Sequence, residues 1–136
     1  MSGCAGRVAG VESDDLAETG NEGLLRITPV DTGTAVVLAA AGEVDLDTGP
    51  RLRSALAGLL EQANPVPVVV DLTEVTFLGS TGIAVLVDAH WQAAQSHIPF
   101  TIVVTPDGPV HRTLKTAGVD HHLTLTHDVD TALRGS

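Results

Sequence analysis

Aromatic residues are almost absent from this chain of 136 residues, which has no tyrosine, one tryptophan and two phenylalanines. The core must therefore be built from valine, leucine, isoleucine and alanine, as is usual for parallel strands that helices cover. Cysteine is equally scarce, because Cys4 stands alone. An intramolecular disulfide and a site built from several metal-binding thiolates are therefore both excluded.

Basic residues and long apolar runs are also scarce. Seven lysines and arginines stand against 17 acidic residues, which gives a net charge of −10. Such a surface repels phosphate backbones and anionic lipid, so it argues against nucleic-acid binding and favours a basic protein partner. No segment approaches the ~18 consecutive apolar residues of a membrane span, and the N-terminus does not resemble a signal peptide. We therefore expect a cytoplasmic protein with no membrane insertion.

The length and an apolar content of 43% predict one domain. Residues 1–22 are rich in glycine, alanine and acidic residues, and we predict a disordered leader there, followed by a folded domain over residues 23–134. Apolar periods and turn residues in that domain predict the order β-β-α-β-α-β-α-β-α. This alternation implies an α/β fold with a mixed, mainly parallel β-sheet covered by helices.

The same patterns predict where each element begins and ends. The predicted strands cover residues 24–28, 34–41, 66–71, 100–104 and 123–125. The predicted helices begin at Pro50, near Ser80, at Pro109 and at Asp128. A hairpin turn is expected at residues 29–33 and a polar loop at residues 73–76, after which Phe77 and Leu78 return to apolar surroundings.

The segment Gly79-Ser80-Thr81-Gly82 places two hydroxyls between glycines, directly before an amphipathic run. This order predicts that Ser80 or Thr81 lies at a helix N-terminus on the rim of the sheet, where free backbone N–H groups and the positive end of the helix dipole lie. A phosphate on such a hydroxyl is tolerated by the helix end. The alternative is that Ser80 only caps the helix, which is the commoner role of a serine there.

Motifs for catalysis and metal binding are not found. The nucleophile elbow G-x-S-x-G fails around Ser80 because residue 78 is leucine, and the glycine-rich phosphate-binding loops are absent. Three histidines cluster near the C-terminus, but no carboxylate or thiol spacing completes a known metal site. We therefore predict that the protein is not an enzyme and has no metal and no cofactor.

Two segments resemble motifs of the STAS family, the sulfate transporter and anti-sigma factor antagonist domains. Residues 71–86, DLTEVTFLGSTGIAVL, are similar to the family's D-L-S-x-V-x-F-h-D-S-S/T-G-h-x-h-L, where h is apolar, except that Gly79 replaces the usual Asp. Residues 42–50, GEVDLDTGP, are similar to its G-E-h-D-h-x-T-x-P turn between the second strand and the first helix. The resemblance covers roughly residues 23–134 and implies the family's fold.

The resemblance also implies a function. Short single-domain members act as anti-sigma factor antagonists: the unphosphorylated form binds an anti-sigma factor that is also a serine kinase, and so frees a sigma factor. The family position of the phosphorylated serine is Ser80 here, with Thr81 as a second candidate acceptor, and a phosphatase acts on the phosphorylated form. Because Gly79 departs from the pattern, two alternatives stay open. They are a non-phosphorylated scaffold of a stress-sensing complex and a cytoplasmic accessory subunit of a lipid-transport machine.

The turn at residues 42–50 is expected beside Ser80, at the same end of the sheet. This placement predicts Glu43 and Asp45 in or near a partner surface that also includes Gly79 and Thr81. The alternative is that Asp45 and Asp47 only precede and cap a helix.

Helical geometry predicts a second part of that surface. At 100° per residue, the predicted helix has a core face and a separate ridge. The core face consists of Gly82, Leu86, Ala89 and Ala93, and the ridge of Ser80, Ala84, Val87 and Trp91. We predict that Trp91 is partly exposed and anchors a partner, because tryptophan is the residue most enriched among interface hot spots. Burial of Trp91 under a loop or the leader is the alternative.

Overall fold

The computed structural model describes residues 25–61 and 66–135. In chain order the elements are β1 (Leu25–Asp31), β2 (Val36–Val44), α1 (Gly49–Leu60), β3 (Val68–Leu78), α2 (Ser80–Gln95), β4 (Phe100–Val103), α3 (Pro109–Ala117), β5 (Leu125–Thr126) and α4 (Val129–Gly135). The predicted order of strands and helices is confirmed. The predicted leader, residues 1–22, lies outside the described residues.

The five strands form one sheet in the order β1-β2-β3-β4-β5. β1 runs antiparallel to β2, and the three other neighbouring pairs are parallel. The α/β class and the mixed, mainly parallel sheet are therefore confirmed. Because β2 to β5 point the same way, their carboxyl ends lie at one edge of the sheet, and we call this the carboxyl edge.

Aliphatic side chains fill the core on both faces of the sheet. Leucines of α1, α2 and α3, such as the fully buried Leu52, Leu86 and Leu114, pack in the larger cluster. A smaller cluster joins the central strands to Ala132 of α4. Each fully buried leucine contributes about 1.5–3 kcal/mol through the hydrophobic effect. Within the described residues, no helix has both the length and the apolar character needed to cross a membrane.

The predicted position of the hairpin turn is wrong. β1 continues to Asp31, and the turn spans residues 32–35, where the Thr32 hydroxyl donates a hydrogen bond of 3.0 Å to the carbonyl oxygen of Ala35. Asp31 supports the same turn by accepting a hydrogen bond of 2.8 Å from the N–H of Gly33. Pro29 is compatible with β1 because β1 is an edge strand.

The predicted polar loop at residues 73–76 is also wrong. β3 is continuous from Val68 to Leu78, and Glu74 and Val75 pair with β2. The register between β2 and β3 shifts twice, with the extra residues on β3, so these are β-bulges. The bulges break the period of two that would identify a strand in the sequence. They also turn Phe77 outward, where 51% of it is exposed, so the predicted apolar surroundings hold for Leu78 but not for Phe77.

The helices agree more closely with the predictions. α1 has Pro50 in its first turn and α3 ends at Gly118, which has a left-handed backbone with φ of +77°. The buried face of α2 includes all four residues of the predicted core face. Gly82 allows α2 to approach the sheet closely, because a Cβ atom there would lie 2.5 Å from Cδ1 of Leu78. This approach fixes the start of α2 at the carboxyl edge.

Candidate partner-binding site around Ser80

Ser80 is the first residue of α2, and its side chain is exposed. The N-cap residue is Gly79, and no side chain caps this helix end. The interpretation of Ser80 as only a capping residue is therefore wrong. The first intrahelical hydrogen bond runs from the N–H of Ile83 to the carbonyl oxygen of Gly79, at 3.1 Å, so the preceding N–H groups of the first turn have no intrahelical acceptor. The Ser80 hydroxyl is accessible at the positive end of the helix dipole.

Thr81 is in a different environment from Ser80. Its side chain is half-buried and packs against Gly49, the buried first residue of α1. A Cβ atom on Gly49 would lie 2.5 Å from Cγ2 of Thr81, so this approach requires glycine. Of the two candidate acceptors, Ser80 therefore has the more accessible hydroxyl.

The structure places the turn at residues 45–48 beside Ser80, at the carboxyl edge. The N–H of Gly79 donates a hydrogen bond of 2.8 Å to the carbonyl oxygen of Val44, directly before the turn. Gly49, directly after the turn, contacts Thr81. Both ends of the turn therefore contact the residues that flank Ser80.

Hydrogen bonds between Asp45 and Thr48 give this turn its shape. Thr48 is fully buried, and its hydroxyl accepts a bond of 2.9 Å from the N–H of Asp45 and lies 2.8 Å from the carbonyl oxygen of Glu43, to which it donates. Oδ1 of Asp45 accepts from the N–H groups of Thr48 at 2.9 Å and of Asp47 at 3.0 Å. The bonds from Thr48, and to a smaller extent from Asp47, hold the pKa of the Asp45 carboxyl below its ordinary value of 3.8.

Asp45 therefore shapes the turn through these hydrogen bonds. The alternative that Asp45 and Asp47 cap a helix is wrong, because they precede α1 but no side chain caps its N-terminus. Asp45 is half-buried, and a direct contact between its side chain and a partner stays a proposal. Glu43 is exposed and lies opposite Phe77 in the β2–β3 register. Its carboxylate is therefore the more accessible of the two at this edge.

Two exposed apolar side chains at this edge are not predicted by the sequence. Leu46, within the turn, is 78% exposed, and Phe77, near the end of β3, is 51% exposed. The Phe77 ring lies close to Gly79, because a Cβ atom on Gly79 would be 3.3 Å from Cε2 of the ring. The position of Leu46 between two aspartates in a turn is a signal for its exposure, whereas the bulge that exposes Phe77 leaves no clear pattern.

The predicted ridge lies on the outer side of α2. Trp91 is 58% exposed, so its predicted partial exposure is confirmed, and Ala84 is exposed as well. Val87 is only half-buried and packs against the core from this side. The Trp91 ring makes an edge contact with His90, with ring centroids 5.8 Å apart. The ridge therefore begins at Ser80 and ends in a large apolar side chain.

An acidic and a basic side chain lie beside the ridge. Asp88, next to it on α2, forms a salt bridge of 2.9 Å with Arg53 of α1, and both side chains are more than half exposed. Such exposed pairs contribute little to stability. Residues 25–61 and 66–135 contain no group of three or more histidine, cysteine, aspartate or glutamate side chains that could hold a metal ion. The site offers a hydroxyl, apolar side chains and carboxylates, which suit protein binding.

Residues 27–127 match the family described as Mlab, STAS domain. The match includes both the turn at residues 42–50 and the segment at residues 71–86. The chain belongs to the STAS family. The five-stranded sheet and four helices of the described residues form the STAS fold.

Relatives of this STAS domain include a curated protein of Mycobacterium tuberculosis, the anti-sigma-F factor antagonist RsfB. The two are 32% identical over 114 residues, which cover 82% of this chain and 91% of the relative. A crystal structure of an anti-sigma factor antagonist from Mycobacterium paratuberculosis is 26% identical, with a TM-score of 0.74, and the match covers 82% of this chain and 92% of that one. A structure of the anti-sigma factor antagonist SpoIIAA in its unphosphorylated form is 13% identical, with a TM-score of 0.64. The match covers 82% of this chain and 98% of that one, and the two share the fold.

Gly79 is the position where this STAS domain departs from the family pattern quoted above. Its backbone is extended, with φ of −85° and ψ of −178°, a conformation open to any residue. The glycine is therefore not required by the backbone. Its effect is the removal of a carboxylate next to Ser80, and the Phe77 ring lies close to the space that a side chain would enter.

Proposed function

We propose that this STAS protein is an anti-sigma factor antagonist whose binding to an anti-sigma factor is controlled by phosphorylation of Ser80. The observation that carries the proposal is an exposed serine hydroxyl at the start of α2, on a surface with exposed apolar side chains. It is supported by identity of 32% to an anti-sigma-F factor antagonist over most of both chains. The protein is then a binding partner and a kinase substrate, not an enzyme.

The partner in this proposal is an anti-sigma factor that is also a serine kinase. The unphosphorylated protein binds it and frees a sigma factor in the cytoplasm. After phosphorylation, a phosphatase removes the phosphate from Ser80 and restores the binding form. Phosphate adds about −1.5 to −2 charges, which the helix N-terminus tolerates, so the fold need not change. Binding is lost because the phosphate must be desolvated in the interface or repels neighbouring carboxylates.

The proposed contact surface joins the turn, the Ser80 segment and the ridge. It consists of Glu43, Asp45, Gly79, Ser80, Thr81, Ala84, Val87 and Trp91. The exposed Glu43 carboxylate and the net charge of −10 favour a basic surface on the anti-sigma factor.

Gly79 supports a second candidate function. Without the usual carboxylate next to Ser80, the chain is a scaffold in a stress-sensing complex or an accessory subunit of a lipid-transport machine, and it is not phosphorylated. In that case the same surface binds a partner permanently, and a kinase has no effect on it.

Phosphate mapping distinguishes the two functions. The wild-type protein and the variants Ser80→Ala, Thr81→Ala and Ser54→Ala are incubated with ATP and the anti-sigma kinases of the source organism, and phosphate is located by mass spectrometry. Ser54 is an exposed serine of α1 and serves as the control. We expect phosphate on Ser80 in every protein except Ser80→Ala.

Binding of each protein to the kinase is measured in parallel by calorimetry. Phosphate on Thr81 alone would overturn Ser80 as the acceptor. Absence of phosphate with a stable partner complex would support the scaffold function instead.

A further inference from the structure

Leu46 and Phe77 are large apolar side chains that the fold leaves in water. Exposed fractions of 78% and 51% are unusual for such residues, and exposed apolar patches often mark interaction sites. Val30 and Trp91 are the other large apolar side chains exposed in the described part of the chain. Of these, Val30 lies toward the opposite end of the sheet, because it pairs with Val37 near the start of β2.

The turn holds Leu46 in a fixed position. Its two neighbours along the chain take part in the hydrogen bonds to Oδ1 of Asp45 and to the buried Thr48 hydroxyl. Because the backbone of the turn is already ordered, it loses little conformational entropy when Leu46 contacts a partner. Preorganisation of this kind raises affinity. The exposure of Leu46 is therefore a property of an ordered turn.

The segments that carry both side chains lie beside Ser80. The turn that carries Leu46 contacts Gly79 through Val44 and Thr81 through Gly49. Phe77 is three residues before Ser80, with its ring close to Gly79. We therefore expect a partner that covers Leu46 and Phe77 to reach Ser80 and to exclude water from its hydroxyl.

We propose that Leu46 and Phe77 enter an apolar pocket of the anti-sigma factor, and that a phosphate on Ser80 prevents binding mainly because this pocket would strip its water. The inference rests on the proposed function and concerns the regulation of the same site. Burial of an unpaired charge is costly, and this desolvation cost is screened little by salt. The exposed rim carboxylates Glu43 and Asp47 fit a basic rim around the partner's pocket.

Repulsion between the phosphate and those rim carboxylates is the competing explanation. Glu43 is exposed at the end of β2 and Asp47 is exposed in the turn, so water and ions surround both. Repulsion between exposed charges weakens as salt rises, because the Debye length falls from roughly 10 Å at 0.1 M to roughly 3 Å at 1 M. Salt dependence therefore separates the two mechanisms.

The test measures dissociation constants for the anti-sigma factor with wild type, Leu46→Ala, Phe77→Ala and the control Val30→Ala. Each is prepared with serine and with genetically incorporated phosphoserine at position 80, so that no kinase is needed. We expect Leu46→Ala and Phe77→Ala to weaken binding by about 30-fold or more, as hot-spot residues do. Val30→Ala should remain close to wild type, because Val30 lies far from the turn.

Phosphoserine should weaken the binding of wild type by a factor that changes little between low and high salt. In Leu46→Ala, phosphoserine should weaken binding by a smaller factor than in wild type. Full wild-type affinity in Leu46→Ala and Phe77→Ala would overturn the inference, as would a phosphate effect that disappears at high salt. Because Leu46 is mostly exposed, its truncation leaves the fold intact, and thermal unfolding checks this for both variants. Failure of wild type to bind any anti-sigma factor would refute the proposed function itself.

Discussion

The backbone N–H of Gly79 donates a hydrogen bond of 2.8 Å to the carbonyl oxygen of Val44. The bond lies one residue beyond the last β2–β3 pair, which joins Val44 to Leu78. It fixes the turn after β2 relative to the start of α2, so the parts of the proposed contact surface on either side share one rigid support. Changes in that support are expected to alter both stability and partner binding.

Gly82 and Gly58 provide a matched pair for testing this support. In Gly82→Ala, the new Cβ atom would lie 2.5 Å from Leu78 and 2.7 Å from Val44, and such overpacking costs about 1–3 kcal/mol. Gly58 is an exposed helical residue of α1 with no atom within 4 Å of an added Cβ. Gly58→Ala should stabilise the protein by about 0.5–1 kcal/mol because it lowers the backbone entropy lost on folding. Denaturant unfolding of both variants measures the difference, and equal effects would contradict this picture of the packing.

The turn should lose stability in acid through Asp45. The hydrogen bonds from Thr48 lower the pKa of this carboxyl in the folded state, so its stabilising contribution is present above its ordinary value of 3.8 and is lost as pH falls through the folded-state pKa. We expect Asp45→Asn to lower the free energy of unfolding at neutral pH, because a neutral oxygen is a weaker acceptor. The difference from wild type should shrink below about pH 4.

Asp47→Asn is the control for this comparison, because it removes a charge from the same turn. Within the described residues, the carboxylate of Asp47 accepts no hydrogen bond, whereas its N–H donates one to Asp45. Urea unfolding at pH 7 and at pH 3 provides the measurement. An equal loss of stability in both variants at pH 7 would assign the effect to net charge and not to the hydrogen bonds.

The sequence predicts most of this fold because its elements follow simple periods. The leucines of α1 recur at helical spacing, and Gly118 ends α3 with a left-handed backbone that glycine readily adopts. A rotation of 100° per residue is enough to predict the core face and the ridge of α2, and Trp91 lies on the expected exposed side. Regular helices of this kind have one repeating geometry, so the sequence is sufficient to place their faces.

Other features depend on contacts between distant segments. The bulges in β3 arise from its pairing with β2, and they decide that Phe77 faces water. That Asp45 shapes the turn follows from its hydrogen bonds with the buried Thr48, and a sequence pattern does not reveal this burial. The candidate site could therefore be located from its motifs, while the roles of its residues required their hydrogen bonds.

Restoring the family's carboxylate should improve Ser80 as a kinase substrate. The extended backbone of Gly79 accepts aspartate, and the nearby Phe77 ring can turn away from the new side chain. Aspartate is a better N-cap than glycine by a few tenths of a kcal/mol, so Gly79→Asp should be slightly more stable than wild type. We expect faster phosphorylation of Ser80, measured as the initial rate with the anti-sigma kinase.

Gly79→Ala is the matched control, because it adds the same Cβ atom without the carboxylate. Alanine is a poor N-cap, so this variant should be less stable than Gly79→Asp by about 0.5–2 kcal/mol. A rate increase in Gly79→Ala as large as that in Gly79→Asp would show that the carboxylate is not the cause.

Trp91 should contribute strongly to partner binding and little to folding. It is 58% exposed on the outer side of α2, three turns from Ser80. Ala84, on the same ridge, is small enough to admit another chain. Trp91→Ala should weaken binding to the anti-sigma factor by more than about 2 kcal/mol, the size of a hot-spot effect, because the buried indole area is lost. Gln95→Ala, an exposed change one turn later on α2, is the control and should bind like wild type. Calorimetric titration measures both, with thermal unfolding as a check on the fold. Unchanged affinity in Trp91→Ala would restrict the contact surface to the turn and the start of α2, because the largest apolar side chain of the ridge would then make no contribution to binding.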